Sequence, residues 1–106
     1  MSLAALAETI ARRKGADPDK SWTARLLASP EMAAEKFGEE AVEAIIEAVK
    51  GDRDRLVSEA ADVIYHLLVM CAVNDITLAD IERELERRSA QSGLAEKAAR
   101  DQKSRG

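Results

Sequence analysis

Hydrophobic residues recur along the chain at the three- and four-residue spacing of amphipathic helices, and no segment alternates as a strand does. Leu3, Leu6 and Ile10 predict a first helix that ends near Gly15. Four more helices, separated from one another by Pro, Gly, Asn, Asp or Ser, are predicted at 22–28, 31–50, 53–73 and 78–88. The pattern therefore predicts an all-α fold.

Two of the predicted helices are long and are joined by only two residues, Gly51 and Asp52, so we expect an antiparallel helical hairpin with flanking helices. From 60 to 73 the second long helix is apolar almost all round. A helix that is hydrophobic on every side is normally covered on every side, and one hairpin cannot do this. We expect a homodimer, in which the long helices of two chains complete a four-helix-bundle-like core.

The length of 106 residues predicts a single domain, 1–106, in which 89–106 form a mobile tail with a short helix around 94–100. Cys71 is the only cysteine, which favours a reducing compartment. The first residues do not resemble a signal peptide, and the apolar run at 63–73 is too short to span a bilayer. We expect a cytoplasmic protein that does not associate with a membrane.

Acidic and basic residues are segregated along the chain. The net charge is only -4, but residues 29–86 carry 15 Asp and Glu against 5 Lys and Arg, whereas both ends are basic. A nucleic-acid-binding protein would present a dominant basic face, so we expect no nucleic-acid partner. The distribution suits a site whose carboxylates hold a cation and whose neighbouring bases hold an anionic substrate.

Two pairs of carboxylates are placed to meet across the predicted hairpin. Glu40 and Glu43 are three residues apart on the first long helix, and Glu59 and Asp62 are three apart on the second. Residues at that spacing share a helix face, with Cβ atoms ~5–6 Å apart. Because the hairpin turn lies midway between the pairs, we expect all four carboxylates to converge.

The cost of such a cluster indicates a cation. Two like charges 5 Å apart repel by roughly 3 kcal/mol at an effective dielectric constant near 20. Oxygen ligands alone suit hard ions, Mg²⁺ above all with Mn²⁺ as a substitute, whereas zinc sites normally include His or Cys. Di-iron bundles use Glu-x-x-His pairs, which this chain does not contain. We expect an Mg²⁺ site whose ligands are Glu40, Glu43, Glu59 and Asp62.

A solvated surface row is the alternative interpretation, since four residues of the first long helix could be ordinary neighbours one turn apart: Lys36, Glu40, Glu43 and Glu47. Asp62 argues against it, because a carboxylate without a partner is costly in an apolar helix. His66 lies on the face of Asp62, where it either touches substrate or a metal-bound water or is a buried histidine bonded to a neighbouring carboxylate. Tyr65 and Trp22 are interpreted as packing residues.

The ordered motifs resemble those of the phosphoribosyl-ATP pyrophosphatase family, within the all-α nucleotide pyrophosphohydrolase superfamily. The runs that carry the resemblance are IARR at 10–13, SWTARLL at 21–27, KFGEEAVE at 36–43 and EAADVIYHLL at 59–68. The similarity extends over residues 3–100. One departure is Trp22, where family members more often carry Tyr.

This resemblance implies Mg²⁺-dependent hydrolysis of phosphoribosyl-ATP to phosphoribosyl-AMP and pyrophosphate, the second step of histidine biosynthesis, by the form without a fused cyclohydrolase domain. The metal ligands would be the four carboxylates above, and Glu39 or an under-coordinated ligand would activate the attacking water. Lys36 is the first candidate for a phosphate contact. Further candidates for binding the phosphates are Arg12, Arg13, Lys50 and Arg53.

Two other functions fit the same residues. A house-cleaning pyrophosphatase that acts on dNTPs or dUTP would use the same four carboxylates. A helical dimerisation module without enzymatic activity would merely expose them to solvent.

Overall fold

The computed structural model describes residues 1–105, apart from the side chains at 92, 94 and 102–105. Within that range the chain is helical and contains no strand. The five helices are α1 (Leu3–Arg13), α2 (Trp22–Leu27), α3 (Pro30–Lys50), α4 (Arg53–Val73) and α5 (Leu78–Arg105). The predicted all-α class and the hairpin with flanking helices are confirmed.

Local capping explains where the helices begin. At the first four N-termini a side-chain oxygen accepts a hydrogen bond from the backbone N–H three residues later, and the residues that do so are Ser2, Ser21, Ser29 and Asp52. At the start of α5, Thr77 and Asp80 form a reciprocal capping box with distances of 2.9 and 3.2 Å. α3 ends at Gly51, whose φ of 74° is the left-handed conformation that glycine adopts without strain.

The core lies at the end of the α3–α4 hairpin that is distant from the Gly51–Asp52 turn. It consists of one or two buried residues from each of the first four helices: Ile10, Leu26, Ala33, Leu68 and Val69. α1 packs on α4, and α2 packs on both hairpin helices. Between residues 34 and 65 no residue is buried. The half of the hairpin nearest the turn is therefore left open within one chain.

The open half exposes large apolar side chains. The run from 60 to 73 was expected to be covered on every side only in a homodimer, and in the single chain Ile64 is 38% exposed. Val57, one helical turn before that run, is 58% exposed. Taken as a whole, α4 is also long and apolar enough to cross a membrane, by length and composition only. The shorter run considered in the sequence, 63–73, did not meet that length.

The last helix is longer than expected. Instead of ending near Arg88, α5 continues to Arg105 without a break. The Arg87 guanidinium bonds both Glu84 and Gln91, and so it links the turns on either side of the expected end. The following residues are mainly strong helix formers, which explains why the helix does not stop. A mobile tail at 89–106 stays a prediction, and residue 106 lies outside the described residues.

Candidate metal centre

Three carboxylates converge in the open half of the hairpin. One carboxylate oxygen from each of Glu40, Glu43 and Glu59 lies within 4.8 Å of the others. Two of these residues share one side of α3, and the third reaches them from α4 because the helices run antiparallel on either side of a two-residue turn. The geometry thus brings together three of the four residues expected to hold a metal.

The environment of this cluster shifts its protonation. Burial, followed by the neighbouring carboxyls of Glu43 and Glu40, raises the pKa of Glu59 to about 7. Burial and then the charge of Glu43 also raise the pKa of Glu40. Both shifts mean that the clustered carboxylates are hard to ionise together when no cation balances them.

Asp62 occupies the edge of the cluster. Its side chain is exposed, and it does not belong to the group of three that lie within 4.8 Å. Its negative charge is nevertheless near enough to contribute to the raised pKa of Glu40. The argument that Asp62 is costly to bury therefore does not apply to the single chain, whereas its position one turn beyond Glu59 fits a fourth ligand.

Lys36 and Glu39 are bonded to each other. The Lys36 Nζ lies 3.2 Å from Glu39 Oε2, and both side chains are partly exposed. Lys36, the first candidate for a phosphate contact, is thus paired with Glu39, a candidate for activating the attacking water. This pair lies one helical turn before the carboxylates on α3.

The other candidate bases lie at two distant places. Lys50 and Arg53 flank the hairpin turn and are exposed, and Arg53 pairs with Asp54 at 3.6 Å. Arg12 and Arg13 lie at the end of α1, next to the ion pair that Lys14 makes with Asp75.

That second place is remote from the carboxylates. Asp75 follows the end of α4, and Glu59 lies about 20 Å back along the same helix. The structure of one chain therefore does not bring Arg12 and Arg13 to the cluster.

His66 is buried, as one of its two interpretations expected, but its partner is not a carboxylate. The Nδ1 atom lies 2.8 Å from the backbone carbonyl of Asp62, so Nδ1 donates to a backbone oxygen and not to a carboxylate. Tyr65 packs against the hydrophobic core, which confirms it as a packing residue, and its hydroxyl group bonds Thr23 of α2. Trp22 is 47% exposed in the single chain, and its assignment to packing stays a prediction.

The alternative interpretation of the sequence treated Glu47 as an ordinary surface residue, and its environment in the structure differs from that. Its side chain is only partly exposed, and Oε2 is shielded from solvent without a hydrogen-bond partner among the described residues. The only signal in the sequence was its position one turn after Glu43, on the same side of α3.

The donor set fits a hard divalent ion. Among the side chains that the structure describes, none forms an ion pair with Glu40, Glu43 or Glu59. The Oε2 atom of Glu59 is shielded from solvent and accepts no hydrogen bond from the described residues. Carboxylate oxygens with unmet charge are the ligands that Mg²⁺ and Mn²⁺ prefer.

Comparison with known proteins identifies the family. The family model described as phosphoribosyl-ATP pyrophosphohydrolase matches residues 3–89. The chain is 72% identical over 96 residues to the phosphoribosyl-ATP pyrophosphatase of Paracoccus denitrificans (strain Pd 1222), which covers 90% of this chain and 89% of that protein. The protein of the same name from Cereibacter sphaeroides (strain ATCC 17025 / ATH 2.4.3) is also 72% identical, over 90% of this chain and 93% of its own length.

A third relative, the phosphoribosyl-ATP pyrophosphatase of Dinoroseobacter shibae, is 71% identical over 99 residues, or 92% of this chain and 97% of its own. These matches span the whole hairpin with its converging carboxylates. The resemblance found in the sequence motifs is thereby confirmed, and the chain belongs to the phosphoribosyl-ATP pyrophosphohydrolase family.

Proposed function

We propose that this protein hydrolyses phosphoribosyl-ATP to phosphoribosyl-AMP and pyrophosphate, the second step of histidine biosynthesis. The observation that carries the proposal is the convergence of Glu40, Glu43 and Glu59 within 4.8 Å in a chain of this family. A triphosphate brings several negative charges to its reaction site. An acidic cluster receives such a substrate only when cations lie between the two.

The cations are Mg²⁺, with Mn²⁺ as a substitute, held by Glu40, Glu43 and Glu59 with Asp62 as a fourth ligand. Bound divalent ions neutralise the charge that develops on the leaving pyrophosphate. The chain's own task is to hold these carboxylates in place around the ion. The capped hairpin does this, because both ligand pairs lie on helices whose relative position the short turn restricts.

Lys36 and Glu39 act as a pair that the substrate separates. In the free protein each neutralises the other at 3.2 Å. A phosphate oxygen that binds Lys36 would release the Glu39 carboxylate, which then accepts a hydrogen bond from the attacking water. Lys50 and Arg53 offer further positive charge at the turn.

The protein works as a homodimer. The exposed large apolar residues of the hairpin are Val42, Ile45, Ile46, Val49, Val57 and Ile64. On α3 the centre of this stripe lies roughly 140° around the helix from Glu40 and Glu43, at 100° per residue. A second copy can therefore cover the stripe without covering the carboxylates. Arg12 and Arg13 bind the phosphates in such a dimer if the second subunit brings them to the cluster.

The dimer is tested by light scattering on the wild-type protein and on Ile45→Asp, which places a charge in the stripe. We expect the wild-type particle to have twice the 11.5 kDa mass of the chain, and the variant to be monomeric or aggregated. A monodisperse wild-type monomer would remove the dimer from the proposal. We also propose that the protein acts in the cytoplasm, without nucleic-acid or membrane partners.

The activity is tested by measuring pyrophosphate release from phosphoribosyl-ATP with Mg²⁺ and with a chelator. We expect release only with the metal, and much slower release from a panel of dNTPs and dUTP. The control variant Glu35→Gln should keep the wild-type rate, because Glu35 is an exposed carboxylate of α3 outside the cluster. Faster turnover of any dNTP than of phosphoribosyl-ATP would replace the proposed substrate, and no release from any nucleotide would refute the enzyme.

A further inference from the structure

Two glutamates of the hairpin, Glu47 and Glu59, each have one side-chain oxygen without a partner in the part of the chain that the structure describes. In both residues the Oε2 atom is shielded from solvent and has no hydrogen-bond partner among the described residues. Glu59 belongs to the three converging carboxylates, whereas Glu47 follows Glu43 by one turn of α3. Since Glu40, Glu43 and Glu47 are spaced by three and then four residues, they form one row on the helix.

The neighbouring bases do not neutralise Glu47. Arg55, on the first turn of α4, pairs with Asp52 at 3.6 Å, and Lys50 is exposed. A shielded carboxylate oxygen without a donor is unfavourable, because it has lost its water and gained nothing in exchange. A donor from outside the described residues would remove that cost.

We propose that Glu47 is a positioning residue of the divalent-ion site, where its Oε2 accepts a hydrogen bond from a water molecule bound to the ion. This inference rests on the proposed function, which places the ion on Glu40, Glu43 and Glu59. Glu47 lies one turn beyond Glu43 and outside the group whose oxygens approach within 4.8 Å, so the proposal gives it a contact through a bound water. Asp62, whose charge already acts on Glu40, is kept as a direct ligand. Mg²⁺ suits this arrangement because it keeps several of its waters when it binds to proteins.

A donor from a second subunit is the competing explanation for the shielded oxygen. In that case Glu47 would contribute to the dimer and leave the affinity for the ion unchanged. The two explanations therefore differ in which equilibrium a substitution at 47 shifts, and both equilibria can be measured without substrate.

The experiment is calorimetric titration of Mg²⁺, and separately Mn²⁺, into chelator-treated full-length protein. The proteins compared are the wild type, Glu47→Gln, Glu47→Ala and the control Glu35→Gln, which also removes one negative charge from α3. Removing a residue that supports a metal through its bound ligands typically weakens metal affinity by about 10–100-fold. We expect losses in that range for both Glu47 variants, with the larger loss for Ala, and a change of less than about twofold for Glu35→Gln.

Each result has a distinct meaning. If the wild type binds the ion and both Glu47 variants bind it as tightly as Glu35→Gln, the role of Glu47 is refuted and the proposed ion site stands. If the Glu47 variants instead change only the dimer dissociation measured by sedimentation, the second-subunit explanation replaces it. If the wild type binds neither Mg²⁺ nor Mn²⁺, the proposed ion site fails and the Glu47 role fails with it. Glu47→Asp, which keeps the charge, replaces Glu47→Ala should the latter not fold, and its expected affinity lies between those of the wild type and Glu47→Gln.

Discussion

The two ends of the α3–α4 hairpin differ in what holds them together. At the end distant from the turn, Leu26 and Val69 are fully buried between four helices. At the turn end no residue is buried, and like charges converge. Apolar packing thus stabilises one end, while the other end keeps an electrostatic repulsion that a bound cation or the uptake of a proton relieves. Substitutions at the core end should therefore change mainly the free energy of unfolding, and substitutions at the turn end should change mainly the reaction rate.

The largest effect is expected at the turn end, on the reaction rate. Glu59→Gln removes a proposed metal ligand but keeps the shape of the side chain. We expect pyrophosphate release to fall by more than about 100-fold, which exceeds the usual loss from a residue that only supports a ligand. Steady-state rates with phosphoribosyl-ATP and saturating Mg²⁺ measure this change. A variant that keeps a tenth of the wild-type rate would contradict the assignment.

The same substitutions at the turn end should not lower the stability of the metal-free protein. Without metal, Glu59→Gln relieves repulsion from Glu40 and Glu43, so the variant should be as stable as the wild type or more stable. Asp62→Asn should be near neutral for stability because Asp62 is exposed. Urea unfolding in the presence of a chelator measures both. A clear destabilisation by either substitution would mean that the carboxylate makes a stabilising contact in the metal-free protein.

The core end should give the largest effect on stability. Leu26→Ala removes a fully buried side chain, and such substitutions cost about 2–5 kcal/mol in the free energy of unfolding. The affinity of the folded variant for Mg²⁺ should stay at the wild-type value, because Leu26 lies at the opposite end of the hairpin from the carboxylates. Urea unfolding at one fixed protein concentration, with calorimetry on the folded variant, tests the separation. Weakened Mg²⁺ binding in folded Leu26→Ala would show that the two ends are coupled.

A smaller effect is expected from pH. Glu59 has an ordinary pKa of 4.5, and in the folded, metal-free protein its pKa is raised to about 7. Between these values the folded protein holds a proton that the unfolded chain has lost. The stabilisation from this proton is therefore greatest at low pH and is lost as pH rises through about 7.

This dependence is measured by urea unfolding at pH 5 and pH 8 with a chelator present. We expect wild-type stability to be lower at pH 8, and the difference to shrink in Glu59→Gln. Saturating Mg²⁺ should reverse the trend, because the ion binds the deprotonated carboxylates. Equal wild-type stability at both pH values without metal would contradict the raised pKa of Glu59.

The sequence was sufficient for the features that depend on local chemistry. Ser29 with Pro30 marks the start of α3, and Gly51 marks its end, because caps and left-handed glycines act within a few residues. The sequence also predicted that carboxylates of α3 and α4 face each other, because Glu43 and Glu59 lie at similar distances along the chain from the two-residue turn. These are the features that the structure reproduces most closely.

The sequence was insufficient where the result depends on side-chain direction. Helical spacing puts Glu43 and Glu47 on one side of α3, but it does not say that a Glu47 oxygen is shielded from solvent. In the same way, an apolar helix suggested a buried Asp62, although its own part of the helix is open in one chain. Both outcomes depend on how neighbouring helices cover a residue, which periodicity alone does not contain.

The smallest expected effect belongs to the outer part of α5, where the predicted end of the helix was wrong. Gly93 lies inside that helix, and a Cβ atom added there would meet nothing within 4 Å. Glycine inside a helix is less favourable than alanine by about 1 kcal/mol. Gly93→Ala should therefore raise the helical signal in circular dichroism and slow amide exchange near residue 93. Because α5 packs mainly on α1 and its described residues from 85 to 101 are exposed, the midpoint of global unfolding should not change. A rise of several degrees in that midpoint would show instead that the outer part of α5 unfolds together with the core.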